Sequence, residues 1–234
     1  MKISNATLKV VKNATRIQQG ISFSSDADYI VSFSAEKGLL SNCPIEETFP
    51  VDFNIYDSGK FLSVVSLFKD PEFTFSEDNV TISEPDGSSR VVYHACGDDT
   101  IKKPPMNELE LEDIDVTFTL ENVMLNQILK SGATMKLDDI RLKSEGDSVY
   151  FQSYSHDNDT NDTYSLKVLS DYDGPEIDVR ILMQSLALMP NDYDVSMGKL
   201  PNGNNGFLFT SIVKEDEQPQ RYWVVAQTDE HGDD

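Results

Sequence analysis

The chain has 234 residues, 41 of them Asp or Glu and 19 Lys or Arg, for a formal net charge of -22, and 38% of its residues are hydrophobic. That length suits one large domain or two of about 100 to 120 residues, and the many short alternating runs exclude a disordered chain. No apolar run is long enough to cross a bilayer, and the N-terminus lacks the charged-then-apolar pattern of a secretory signal, so a cytosolic chain without membrane attachment is expected.

In chain order, MKIS is followed by an amphipathic stretch. At about 100° per residue, Lys9, Lys12 and Arg16 fall within roughly 60° of arc, with Ala6, Val10, Val11, Ala14 and Ile17 on the other side. The spacing predicts a helix over residues 4–17 with one cationic face. GISFSS and YIVSFSAE then read as strands. VDFNIYDSGKFLSVVSLFKD reads as a strand and a helix over residues 57–68, capped by Asp57 or Ser58, with Phe61, Val65 and Phe68 as its buried side. Three more strand-like runs close this part near Gly97.

The stretch GDDTIKKPPMNELELED, residues 97–113, is rich in charge and proline and reads as a connector. After it the same order returns: VTFTL, a helix over residues 120–131 stopped by Gly132, then MKLDDIRLKSEG and SVYFQSYS as strands. From Ile177 come a strand, a short helix over residues 182–189 ended by Pro190, and three strands with a loop at residues 201–206. The fold class expected is α+β, with two similar domains, each carrying two helices packed on antiparallel sheets and about eight strands. The expected limits are 1–98 for the first domain, 99–112 for the connector, and 113–234 for the second domain with its acidic tail.

Charge is not spread evenly. At the chain average the four helices would hold about eight acids. They hold two, Asp57 and Glu121, both at helix starts, where a carboxylate complements the dipole. Their cations are Lys9, Lys12, Arg16, Lys60 and Lys130; Lys60 shares a face with Ser63 and Ser66, and Lys130 with Asn122 and Asn126. Small, polar and cationic groups without an aromatic stacking platform suit loose, sequence-independent contact with phosphates. The fourth helix, LMQSLALM, has no cation: either the cationic layer is patchier there, or Lys136, Lys143 or Lys199 contributes from nearby loops.

Signals for catalysis are weak. Cys43 and Cys96 lie far apart without metal spacing, and His94, His156 and His231 are scattered. DNDTND lacks the glycine and the glutamate of a calcium loop, and no phosphate-binding glycine motif occurs. No catalytic residue, metal or cofactor is expected.

With these elements in place, the chain resembles the DNA polymerase sliding clamps, specifically those of T-even-type bacteriophages. The resemblance lies in the element order of essentially the whole chain and in three stretches, VDFNIYDSGKFLSVVSLFKD, KVLSDYDG (residues 167–174) and YWVVAQ (residues 222–227). It implies a non-enzymatic processivity factor whose two domains per chain close, as a homotrimer, into a six-domain ring around duplex DNA. It places the helices on the inner wall, with Lys9, Lys12, Asn13, Arg16, Lys60, Asn126 and Lys130 as DNA-facing candidates. It pairs residues 90–95, with Val91, Val92 and Tyr93, to residues 163–168 of the next subunit, with Tyr164 and Leu166. It further implies a partner-peptide pocket beside the connector, with Ile101, Pro105, Met106 and Trp223 as candidates. The implied partners are the replicative DNA polymerase, a clamp-loader ATPase, late-transcription factors and host RNA polymerase, in the cytoplasm of an infected bacterium. The competing readings are an acidic DNA mimic, a β-rich phage structural subunit and an enzyme.

Overall fold

The computed structural model describes residues 1–36, 38–158 and 162–227. The DNDTND stretch lies partly, and the acidic tail with His231 wholly, outside the described residues. Two compact units divide the chain: Met1–Ala35 with Leu40–Asn107, and Glu36–Leu39 with the chain from Glu108 onward. The connector therefore divides after Asn107, and most of it goes with the first unit.

In the first unit the amino terminus is extended, and Met1 and Phe73 exchange two backbone hydrogen bonds of 2.7 and 2.8 Å. Ser4 then caps α1 (Asn5–Ile17), its hydroxyl accepting from the Thr7 amide at 3.1 Å. The remaining elements are β1 (Ile21–Phe23), β2 (Tyr29–Phe33), β3 (Leu39–Pro44), β4 (Phe53–Ile55), α2 (Ser58–Val65), β5 (Glu72–Phe75), β6 (Asn79–Ser83) and β7 (Arg90–His94). β1 pairs with β4, β2 with β3, and β5, β6 and β7 form a meander, all antiparallel. The core is aromatic: Phe23 stacks on Phe49 at 4.2 Å, and Phe61 meets Tyr93 edge-on at 5.4 Å. Phe61, Val65 and Phe68 are buried, as their spacing required. Each is worth about 1.5 to 3 kcal/mol, which holds a helix of two turns that would fray alone.

The first turn of α1 differs from the periodic reading. Ala6 is exposed, and Thr7 takes its place on the buried side at 0% exposure. The hydroxyl of Thr7 donates to the Glu47 carboxylate and accepts from the Glu46 amide, so a polar residue is accommodated without loss.

The second unit holds β8 (Glu112–Leu120), α3 (Asn122–Met135), β9 (Asp139–Glu145), β10 (Ser148–Tyr154), β11 (Tyr164–Leu169), β12 (Asp178–Leu182), β13 (Tyr193–Lys199), β14 (Asn205–Ser211) and β15 (Arg221–Val225). Its strands pair in the orders β11-β10-β9-β12 and β15-β14-β13-β8, and α3 packs on β10 and β11. Trp223, Tyr222, Phe207 and Phe209 are among its fully buried side chains.

Two helix expectations are corrected here. Gly132 does not stop α3, which runs on to Met135 and ends where Lys136 takes the left-handed conformation at φ 57°. Gly132 is there for close packing: a Cβ would lie 1.9 Å from the Met183 methyl carbon. The fourth helix is absent. Residues to Leu182 are drawn into β12 by pairing with β9, and only a 3-10 turn, Met183–Leu186, follows. Ser185, Leu186, Ala187 and Leu188 are buried in succession, a pattern that does not alternate as one face of a helix would. The backbone of Met189 is held by the hydroxyls of Tyr193 and Tyr222, at 2.6 and 3.3 Å, in place of a helical ladder. The fold is thus α+β, with three α-helices on antiparallel sheets among the described residues.

Candidate nucleic-acid interface

The cationic face of α1 follows from its buried face. Val10, Val11, Ala14 and Ile17 are each no more than 8% exposed, and this fixes the helix's rotation so that Lys9, Lys12 and Arg16 project to solvent. Glu47, which accepts from the Ser4 amide as well as from Thr7, anchors the start of the helix. Sequence reasoning missed Glu47, since the contact spans some forty residues and leaves no local signal.

At the other end, the carbonyl of Gln19, just past α1, accepts from both the amide and the hydroxyl of Ser58 at 3.0 and 2.7 Å. This sets α2 beside α1. The one acid at α2, Asp57, is spent on the cap, accepting from the Lys60 amide at 2.8 Å. Lys60, Ser63 and Ser66 are exposed. Among the described residues Lys9, Lys12 and Lys60 form no ion pair, so their charge is directed outward.

Asn13 must be withdrawn from the DNA-facing set. It is 5% exposed, because its position on the wheel turns it toward the side of Val10 and Ile17. On α3, Asn126 and Lys130 are exposed as expected. The Asn126 amide nevertheless donates along its own helix, to the carbonyl and side-chain oxygens of Asn122 at 2.8 and 3.0 Å. Lys143 and Lys199 lie in strands, not in loops; Lys143 pairs with Glu145 at 3.4 Å and Lys199 donates to Asn205 at 2.7 Å.

The strand edges are as informative as the helices. Among the described residues β7 ends its meander and β11 ends its sheet, so each offers one row of unpaired backbone groups. Val92 is 48% exposed, whereas Val91, Tyr164 and Leu166 are half-buried. Tyr93 turns inward: its ring packs on Phe61 and its hydroxyl donates to the Asp57 carbonyl.

The pocket candidates fall in both units. Trp223, at 1% exposure, is core of the second unit, while Pro105 and Met106 are exposed. Ile101 borders a cavity of about 290 Å³ in the first unit, together with Gln18, Tyr29, Val31, Lys103 and Pro104. The connector above it is anchored. Asp98 accepts from Lys103 at 3.0 Å and from Asn54 at 2.5 Å, and these bonds hold its carboxyl below the usual range. At the far end Asn107 donates to the Tyr29 hydroxyl at 2.8 Å.

No family model matches the chain. Its sequence is similar to the sliding clamp of Vibrio phage KVP40, 25% identical over 216 residues that cover 91% of this chain and 96% of the relative. The sliding clamp of Enterobacteria phage T4 is 26% identical over 209 residues, covering 82% and 85%. Among solved structures, the PCNA2-PCNA3 complex from Sulfolobus tokodaii matches with a TM-score of 0.67 at 12% identity, over 97% of this chain and 99% of that one. The Helicobacter pylori beta clamp matches with a TM-score of 0.67 at 12% identity; 97% of this chain is covered, and the match spans 66% of the length of that clamp. The fold is that of the sliding clamps, and in sequence this chain is similar to the sliding clamps of T-even-type bacteriophages.

Proposed function

We propose that three copies of the chain close into a ring of six clamp units around duplex DNA and tether the replicative DNA polymerase to its template. The observation that carries this reading is the surface of α1 and α2. In a chain of net charge -22, it exposes Lys9, Lys12, Arg16 and Lys60 with no acid beyond the cap Asp57. A DNA mimic would gather acids on its regular faces, and a structural subunit would need no such surface. A few separated cations hold phosphates weakly enough to slide, whereas a dense basic groove would not. The unpaired edges of β7 and β11 support closure, since pairing them head to tail generates a cyclic assembly and covers both.

Partner peptides dock, in this reading, at the cavity bordered by Ile101. A clamp-loader ATPase that opens the ring, a part in late transcription with host RNA polymerase, and a place in the cytoplasm of an infected bacterium rest on kinship alone. Primer extension on a long circular template by the polymerase of the same phage tests the tether. Longer products per binding event with the protein present are expected, and unchanged product length would remove the proposal.

A further inference from the structure

The two units do not carry equal helical surfaces. We infer that phosphate contact is concentrated on the first unit of each chain and that the helical surface of the second unit is a near-neutral spacer; this rests on the ring proposed above. The first unit exposes Lys9, Lys12 and Arg16 on α1 and Lys60 on α2. At a rise of about 1.5 Å per residue, Lys9 to Arg16 spans roughly 10 Å, close to one Debye length at physiological salt, so these charges act as one patch.

The second unit answers with one cation on a helix, Lys130. The exposed side of α3 otherwise presents Val123, at 63% exposure, with Asn126 and Gln127. Lys136 stands past the helix, and Asp138 follows it two residues later. The partner helix that would have completed the layer is a 3-10 turn. Its Ser185 and Leu186 are buried, which leaves exposed Gln184 and half-buried Met183 at the surface. A neutral polar surface approaches DNA without binding it, because it releases no counterions. Three cationic patches per ring, one from each chain, would then hold the duplex, with the second units filling the wall between them.

The test is the salt dependence of binding to a short duplex of arbitrary sequence, using the full-length protein. Each lost phosphate contact lowers the slope of log K against log salt by about 0.9. A Lys12→Gln/Arg16→Gln double variant and Lys60→Gln are compared with a Lys130→Gln/Lys136→Gln double variant, all at exposed positions whose loss leaves the fold intact. A reduced slope for the first two, with an unchanged slope for the third, is the expected result. An equal or larger reduction for the third would overturn the inference while leaving the ring in place. No change in any variant would overturn both.

Discussion

The hydroxyl of Tyr93 on β7 donates a 3.1 Å hydrogen bond to the backbone carbonyl of Asp57, the residue that caps α2. The strand proposed to meet a neighbouring subunit is thereby fastened to the helix that carries Lys60. Tyr93→Phe keeps the ring against Phe61 and removes the bond, so a loss of about 1 kcal/mol is expected. Chemical denaturation reads it directly. A variant as stable as the parent would mean that the bond contributes nothing to this junction.

The edge of β7 gives a separate expectation. Val92 is 48% exposed and faces away from the core that holds Tyr93. Val92→Lys sets a charge into the proposed seam between subunits, and blunted edges of this kind resist pairing. The assembled mass in solution should fall while circular dichroism stays unchanged. Full assembly by the variant would place the seam elsewhere.

Backbone crowding at Gly198 makes a third prediction. A Cβ there would lie 2.5 Å from the carbonyl oxygen of Glu112 and 3.0 Å from that of Asp113, at the point where the pairing of β13 with β8 shifts register. Gly198→Ala should cost about 1 to 3 kcal/mol, since strand backbone cannot swing aside. Gly132→Ala meets the flexible end of Met183 instead, and a smaller loss is expected in the same urea titration.

Tyr154 supplies the pH dependence. Burial first, then the charge of Asp139, push its phenol up to about 12 against an ordinary 10.0. The Arg141 guanidinium, 4.5 Å above its ring, acts in the opposite direction. The folded value exceeds the unfolded one, so the contribution is complete below pH 10 and is lost as pH rises toward about 12. Tyr154→Phe should flatten that alkaline decline. An equally steep decline in the variant would assign it to other groups.

Much of the site was legible because amphipathic spacing is a local property. The period of Val10, Val11, Ala14 and Ile17 rotates α1 and so decides where Lys9, Lys12 and Arg16 point. What failed was decided at long range. LMQSLALM has helical propensity, but pairing of Leu182 with Asp139 and the hydroxyls of Tyr193 and Tyr222 claim its backbone. Gly132 reads as a helix stop, yet it is needed for the approach of Met183, some fifty residues away. Asn13, by contrast, lies at the border of the polar face, and its place on the wheel turns it to the side of Val10 and Ile17. Trp223 is apolar, aromatic and near the C-terminus, features shared by pocket walls and core strands alike; its place in β15 makes it core.

Light scattering over a range of concentrations tests the ring most directly. Three chains of 26.2 kDa give about 79 kDa, and a mass near that value, lowered in Val92→Lys, is the predicted result. A mass of one chain at every concentration, with duplex DNA present as well as without it, would contradict the ring.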